Sequence, residues 1–319
     1  MPLTSLVHGL AALSVAFMSA CLGAAGHAAA TPRTQGLTPS LVQIHLPVQG
    51  ANADAPGHGI ASAPGRVMYT QVFKPPGPGP FPILLYAHGR PAYASERTLL
   101  KRPIHARHVQ YWLAKGYAVV APIRPGYGIT GGADQESSGV GYAKNGQCLR
   151  SPNPANLAQS AAAAQRHALD WARQQPWARK DRILLEGHSA GGLATVALCA
   201  ANPPGVVGCI NFSGGAGGDP VHAPGRMCGP DKITQLMRDY GHTTQPPSIW
   251  LYAPNDLYWG AEPPRQWHAA FNLAAQAAHG KPSTLVQTPA IGSDGHSLQR
   301  AGSAHWGPAL SAWLSKNKL

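Results

Sequence analysis

The sequence predicts an α/β protein with a mostly parallel central sheet, helices on both faces, and a small cap made from long loops. Three observations predict it. Short apolar runs alternate with longer helical patterns along most of the 319 residues, as βαβ units require. Hydrophobic residues make up 44% and charged residues only 12%, which suits a large buried core and excludes a disordered chain. Finally, 37 glycines and 31 prolines supply the turns such an alternation needs.

The elements follow in order. Period-two alternation over residues 41–46 (LVQIHL) and 66–73 (RVMYTQVF) predicts two early antiparallel strands. The run KPPGPGP at 74–80 then forces a turn, because proline cannot donate to a ladder. Residues 83–87 (ILLYA) are continuously apolar, as in a central strand covered on both faces. A helix is expected over 104–115, stopping at Gly116, and a strand over 117–122. Further helices are expected at 156–174, 191–201, 262–279 and 308–315, with strands at 182–186, 206–212, 248–252 and 284–287. Segments 126–154 and 214–231 are too long for plain connections and are read as the cap. The glycine run at 214–218 lacks the Lys-Ser/Thr of a phosphate-binding loop and is read as a turned loop. The chain shows no internal repeat.

The sharpest motif is Gly187-His188-Ser189-Ala190-Gly191-Gly192, set between an apolar strand and a helix. A serine on a sharp strand-to-helix turn needs small neighbours, because strand and helix approach closely there. The turn lifts its hydroxyl above the sheet, at the positive end of the helix, where the next N–H can bind an oxyanion. His88-Gly89-Arg90 follows the strand 83–87, where a second oxyanion donor is expected. With these residues the chain resembles the α/β-hydrolase superfamily from about Leu41 to its C-terminus, and within it the dienelactone-hydrolase-like and secreted serine esterase branches. The dienelactone hydrolases proper use cysteine as nucleophile, where this chain has Ser189. The His-Gly-Gly-Gly run of many lipases is replaced by His88-Gly89-Arg90-Pro91.

The resemblance implies the order nucleophile, acid, histidine. Asp256 lies just past the strand 248–252 and is favoured over Asp219, Asp231, Asp239 and Glu262, none of which follows a strand so directly. His296 lies past the last strand, in the loop Gly292-Ser293-Asp294-Gly295-His296, and is favoured over His305, which falls in the first turn of the closing helix. The expected roles are Ser189 nucleophile, His296 general base and then acid, and Asp256 orienting carboxylate. The backbone N–H groups of Ala190 and Arg90 would form the oxyanion hole, with His88 holding its loop and Tyr127 lining the pocket. Trp250, Tyr252, Tyr258 and Trp259 around Asp256 are read as core or rim packing.

The expected activity is cleavage of carboxylic esters, small or polymer-borne, with no cofactor and no metal. A prolyl-oligopeptidase-like peptidase would use the same residues, but no propeller domain precedes them here. The other alternative is a non-catalytic binding protein on the same fold, which would not need all three residues.

Residues 1–30 contain no Lys, Arg, Asp or Glu; an apolar stretch from Leu10 to Leu22 precedes Ala28-Ala29-Ala30. This reads as a signal peptide over 1–30, leaving one catalytic domain over 31–319, exported to the periplasm or outside the cell. Met18-Ser19-Ala20-Cys21 offers an alternative reading as a lipoprotein acylation site. No later run reaches the length of a transmembrane helix. Cys148, Cys199, Cys209 and Cys228 are then expected to form disulfides. Cys199 lies about three helical turns past Ser189, near the bottom of the sheet, and Cys209 on the next strand, while Cys148 and Cys228 sit in the two cap segments; the favoured pairs are Cys199–Cys209 and Cys148–Cys228. His105 and His108 have no third metal ligand nearby. Lys+Arg 25 against Asp+Glu 13 gives a net charge of +12, but the basic residues are scattered, so no nucleic-acid partner is expected. Oligomeric state is left open.

Overall fold

The computed structural model describes residues 37–47, 66–91 and 93–319; the expected signal peptide and Cys21 lie outside the described residues. Leu37–Leu319 is one compact unit. Its strands are β1 (Ser40–His45), β2 (Val67–Phe73), β3 (Phe81–Ala87), β4 (Ala118–Pro122), β5 (Gly141–Tyr142), β6 (Cys148–Arg150), β7 (Ala178–His188), β8 (Val206–Phe212), β9 (Ser248–Tyr252) and β10 (Thr284–Gln287). Its helices are α1 (Ala94–Thr98), α2 (Ala106–Ala114), α3 (Pro154–Arg173), α4 (Ala190–Ala200), α5 (Pro230–Thr243), α6 (Glu262–Ala277), α7 (Leu298–Ala301) and α8 (Ser303–Lys316).

Eight strands form one sheet in the order β1-β2-β4-β3-β7-β8-β9-β10. The β1–β2 and β2–β4 pairs are antiparallel and every later pair is parallel. Alternate residues of β3 and β7 feed the two faces. Leu84, Tyr86 and Leu184 pack with Val109 and Trp112 of α2 and Trp306, Leu310 and Trp313 of α8. Ile83, Leu85, Ile183 and Leu185 pack under α3, with Leu169 and Ala168. Farther along that face, Trp250 and Tyr252 of β9 pack with Leu236 and Met237 of α5 and Phe271 of α6.

α1, α5, α7 and the short β5–β6 pair fall where the sequence reading expects no helix or strand, and the last helix is longer than expected. α5 follows the second cap segment, where no helix is expected. Only Ile233, Leu236, Met237 and Gly241 are buried in it, so its apolar stripe is narrow and the rest polar. The spacing i, i+3, i+4 was the available signal. Gly241 lets α5 approach α6, since a Cβ there would lie 2.2 Å from the Phe271 carbonyl oxygen. The closing helix extends beyond residues 308–315: it starts at Ser303, which puts His305 in its first turn and Pro308 inside α8. Gly302 separates it from α7, and the Trp306 indole N–H donates to the Leu298 carbonyl at 3.1 Å, joining the two helices.

The cap segments meet each other. Cys148–Cys228 links them across 80 residues of sequence, and the Tyr142 hydroxyl donates to the Gly217 carbonyl at 2.5 Å while accepting the Cys228 N–H at 2.8 Å. Cys199–Cys209 joins α4 to β8 at the other end of the sheet.

Candidate active site

The turn from β7 into α4 holds Ser189 at φ 57° and ψ −124°, a left-handed conformation that costs a non-glycine residue energy. Its neighbours explain why it persists. A Cβ on Gly187 would lie 2.1 Å from the Gly191 carbonyl oxygen, and one on Gly191 would lie 2.1 Å from that of Ala87. Only glycines allow helix and strands this close. Ala190 is the first residue of α4, so its N–H has no intrahelical acceptor and is available to an oxyanion.

The loop after β3 runs alongside. A Cβ on Gly89 would lie 3.2 Å from His188 Nδ1 and 3.3 Å from Ser189 Cβ, so this loop is packed against the serine turn and brings Arg90 to the same cleft. His88 anchors it. Its Nε2 accepts the Arg124 N–H at 3.2 Å, its Nδ1–H donates to the Gly89 carbonyl at 2.7 Å, and its own carbonyl accepts from Arg124 Nη1 at 2.7 Å. Burial, and then the Arg124 charge, holds the His88 ring well below the usual histidine range, so it stays neutral. Arg124 in turn is paired with Glu136 at 2.6 and 2.9 Å, both side chains buried.

Tyr127 is not where the sequence reading put it. It is fully buried and lines none of the cavities beside Ser189. Its ring packs edge-on against His88 at 4.6 Å, its hydroxyl donates to Glu136 at 2.6 Å, and it accepts from Arg90 Nη1 at 3.2 Å. The acceptor offered by Glu136 draws the phenol inward, so Tyr127 supports the loop rather than touching the cleft. The Arg90 guanidinium also forks onto Asp134 at 2.7 and 2.5 Å.

Asp256 lies four residues past β9 and is buried. Its Oδ2 is 2.9 Å from His296 Nδ1, and its Oδ1 accepts the N–H groups of Tyr258 and Trp259 at 2.8 and 3.3 Å. A carboxylate held this way fixes the imidazole tautomer with Nδ1–H toward the acid and leaves Nε2 free as a base. His305 is exposed on α8 and makes no such contact. His296 lines one cleft together with Ser189, so serine, histidine and aspartate converge from the ends of β7, β9 and β10.

Several groups hold His296 that the sequence did not single out for the purpose. Asp294 Oδ1 accepts its N–H at 2.9 Å, and the Tyr258 ring lies on the imidazole at 4.0 Å between centroids. Asn255 links the acid loop to the histidine loop, bonding the backbone at Ile291 and Gly292. His188 reaches across the cleft floor, its Nε2 2.7 Å from the His296 carbonyl. Burial, and next the neighbouring His296, pushes the His188 ring down to about 3, so it is neutral and donates there. Farther below, buried Glu186 accepts from Gln299 at 2.8 Å and from the Trp112 indole at 2.9 Å, and bonds His108; Gln299 also accepts from the Tyr86 hydroxyl. His108 is therefore tied to a carboxylate inside the core, and no cluster of metal-ligating side chains occurs among the described residues.

Ser189 stands where two cavities meet. The larger, about 440 Å³, is lined by Ser189 and His296 with Leu100, Pro103 and Arg300. The smaller, about 250 Å³, is lined by Ser189 and Ala190 with both cap segments, including Tyr142 and Gly217.

No family model and no curated protein matches this sequence. The architecture does have solved counterparts. An esterase from Pyrococcus furiosus superposes with TM-score 0.54 at 12% identity, over 90% of this chain and 95% of that one. The acylaminoacyl peptidase of Pyrococcus horikoshii superposes with TM-score 0.54 at 11% identity over 88% of this chain, and a puromycin-hydrolyzing peptidase of Mycobacterium tuberculosis with TM-score 0.52 at 15% identity, also over 88%. This chain spans only 41% and 39% of those two peptidases. Taken with the strand order, the parallel pairing and the strained serine turn, these likenesses establish that the chain has the α/β-hydrolase fold.

Proposed function

We propose that the protein is an exported serine hydrolase that cleaves carboxylic esters through an acyl-enzyme on Ser189. The observation that carries the reading is the Asp256–His296 hydrogen bond beside a strained serine at the β7–α4 turn. His296 takes the Ser189 proton as the Oγ attacks the ester carbonyl, and the N–H groups of Ala190 and Arg90 receive the oxyanion. The tetrahedral oxyanion collapses to restore the carbonyl, the bond to the leaving oxygen breaks, and His296 gives its proton to that oxygen. Water, deprotonated by the same histidine, then releases the acid. Asp256 stabilises the imidazolium in both halves. Export is supported by the residues of the N-terminal stretch and by two disulfides, which persist in oxidising compartments.

A peptidase is the second reading, favoured by the two peptidases of similar fold. The two are separated by measuring kcat/KM on p-nitrophenyl acetate and butyrate beside aminoacyl p-nitroanilides. Ester turnover that Ser189→Ala removes, with the anilides poor, supports the esterase. The opposite preference supports the peptidase, and inertness toward both supports a binding protein.

A further inference from the structure

The two cavities beside Ser189 have different chemical duties. In acyl transfer the proton abstracted from the serine returns through the histidine to the leaving oxygen, so the leaving group must lie on the histidine's side. The larger cavity is lined by both Ser189 and His296; the smaller is lined by Ser189 and Ala190 but not by His296. The leaving alcohol therefore belongs in the larger cavity and the acyl group in the smaller one.

Their charges also differ. Arg300 and His105 stand on the larger cavity, and Arg300 has no hydrogen bond or ion pair among the described residues. Arg90, the other arginine there, is already committed to Asp134. Burial and then the charge of Arg300 lower His105; at His188, burial and His296 lead, and Arg300 adds to them. Arg300 thus lies near enough to act on groups at the rim and the floor of this cavity, with Arg102 and Arg107 also acting at the rim. Its one carboxylate, Asp294, is engaged by the N–H groups of Leu257 and His296. Among the described residues the smaller cavity has no free cation: besides the paired Arg90 its charged group is Asp219, held by His222 at 2.9 Å. Leu100, Pro103 and Tyr258 give the larger cavity apolar walls suited to a ring or short carbon frame.

Resting on the ester-hydrolase reading above, we propose that the favoured substrates are esters whose leaving alcohol or phenol carries a carboxylate, bound by Arg300. Hydrolysis joins the acyl carbon to Ser189 Oγ, breaks its bond to the phenolic or alcoholic oxygen, and returns the serine proton to that oxygen through His296. The carboxylate-bearing alcohol then leaves the cationic cavity before water resolves the acyl-enzyme.

The test compares kcat/KM for 4-acetoxybenzoate and its methyl ester, which share one acetyl group and differ in charge on the leaving phenol. A second pair, monophenyl glutarate and its methyl ester, moves the carboxylate to the acyl side. A single exposed cation should favour the leaving-group carboxylate by about fivefold at low salt. Arg300→Gln should bring that ratio to about one, Arg300→Lys should preserve most of it, and about 1 M salt should erase it. The glutarate pair should show no such preference. A wild-type ratio at or below one, a ratio that Arg300→Gln leaves standing, or a preference for the acyl-side carboxylate would overturn the proposal. Turnover of none of the four esters would overturn the ester-hydrolase reading itself, and this proposal with it.

Discussion

Glu136→Gln should be among the most damaging single substitutions in the molecule, although Glu136 lines neither cavity beside Ser189. Arg124 has no exposed surface and Glu136 is 2% exposed, and they form two hydrogen bonds at 2.6 and 2.9 Å. Glu136 also accepts the Tyr127 hydroxyl, so one carboxylate neutralises a buried cation and satisfies a buried phenol. Gln keeps the shape but removes the charge, leaving the Arg124 guanidinium uncompensated in the core. Breaking a buried pair in this way costs about 3–5 kcal/mol, against a total stability of about 5–15 kcal/mol. The neighbouring Arg90–Asp134 pair is a control, with side chains 17% and 27% exposed. Asp134→Asn should cost no more than about 1 kcal/mol. Urea unfolding followed by tryptophan fluorescence reads both, as a shift in midpoint at constant slope. If Glu136→Gln moved the midpoint no more than Asp134→Asn, the buried clamp would not hold the His88–Arg90 loop as described.

Other outcomes follow from the same contacts. Asp256→Asn should fold normally and lose about three to four orders of magnitude in kcat, because the amide no longer selects the tautomer that leaves His296 Nε2 free; stopped ester assays read this directly. His296→Gln should be as damaging, whereas His305→Gln should keep most of the rate. Replacing Cys148 and Cys228 by serine should cost about 4.5 kcal/mol, and the Cys199–Cys209 pair about 2.7 kcal/mol, since the first closes the longer loop; thermal unfolding under oxidising conditions compares them. Acid should weaken the fold through His188, whose value falls from 6.5 to about 3 on folding. The unfolded chain then binds more protons below pH 6.5, so its contribution is full above that value and is lost as pH falls toward 3. Between pH 6.5 and 5 the loss is about 2 kcal/mol, and His188→Asn should flatten that slope in urea melts at the two pH values.

The sheet was readable in the sequence because parallel strands buried on both faces leave continuous apolar runs, as at Ile83–Ala87 and Ser248–Tyr252. Ser189 was readable because the steric demand of its turn is written as glycines at 187 and 191, where a Cβ would strike backbone oxygen. Asp256 and His296 stood out by falling just past strand ends. What held them there was not visible. Asn255 bonds the backbone across 36 and 37 residues, and His188 reaches the His296 carbonyl across 108, and no local pattern records such contacts. Tyr127 sits in a stretch that does approach the site, but the direction of its side chain depends on Glu136, nine residues on. α5 is not legible in the sequence because its four buried positions are diluted among polar ones, and its packing on α6 is tertiary.

In the proposed mechanism Ser189 is the nucleophile, activated by His296. Intact-mass measurement after exposure to a fluorophosphonate tests it most directly. One adduct per chain is expected, located on Ser189 by peptide mapping, absent in Ser189→Ala and formed orders of magnitude more slowly in His296→Gln. An adduct that persists in Ser189→Ala, or one formed at the wild-type rate in His296→Gln, would contradict it.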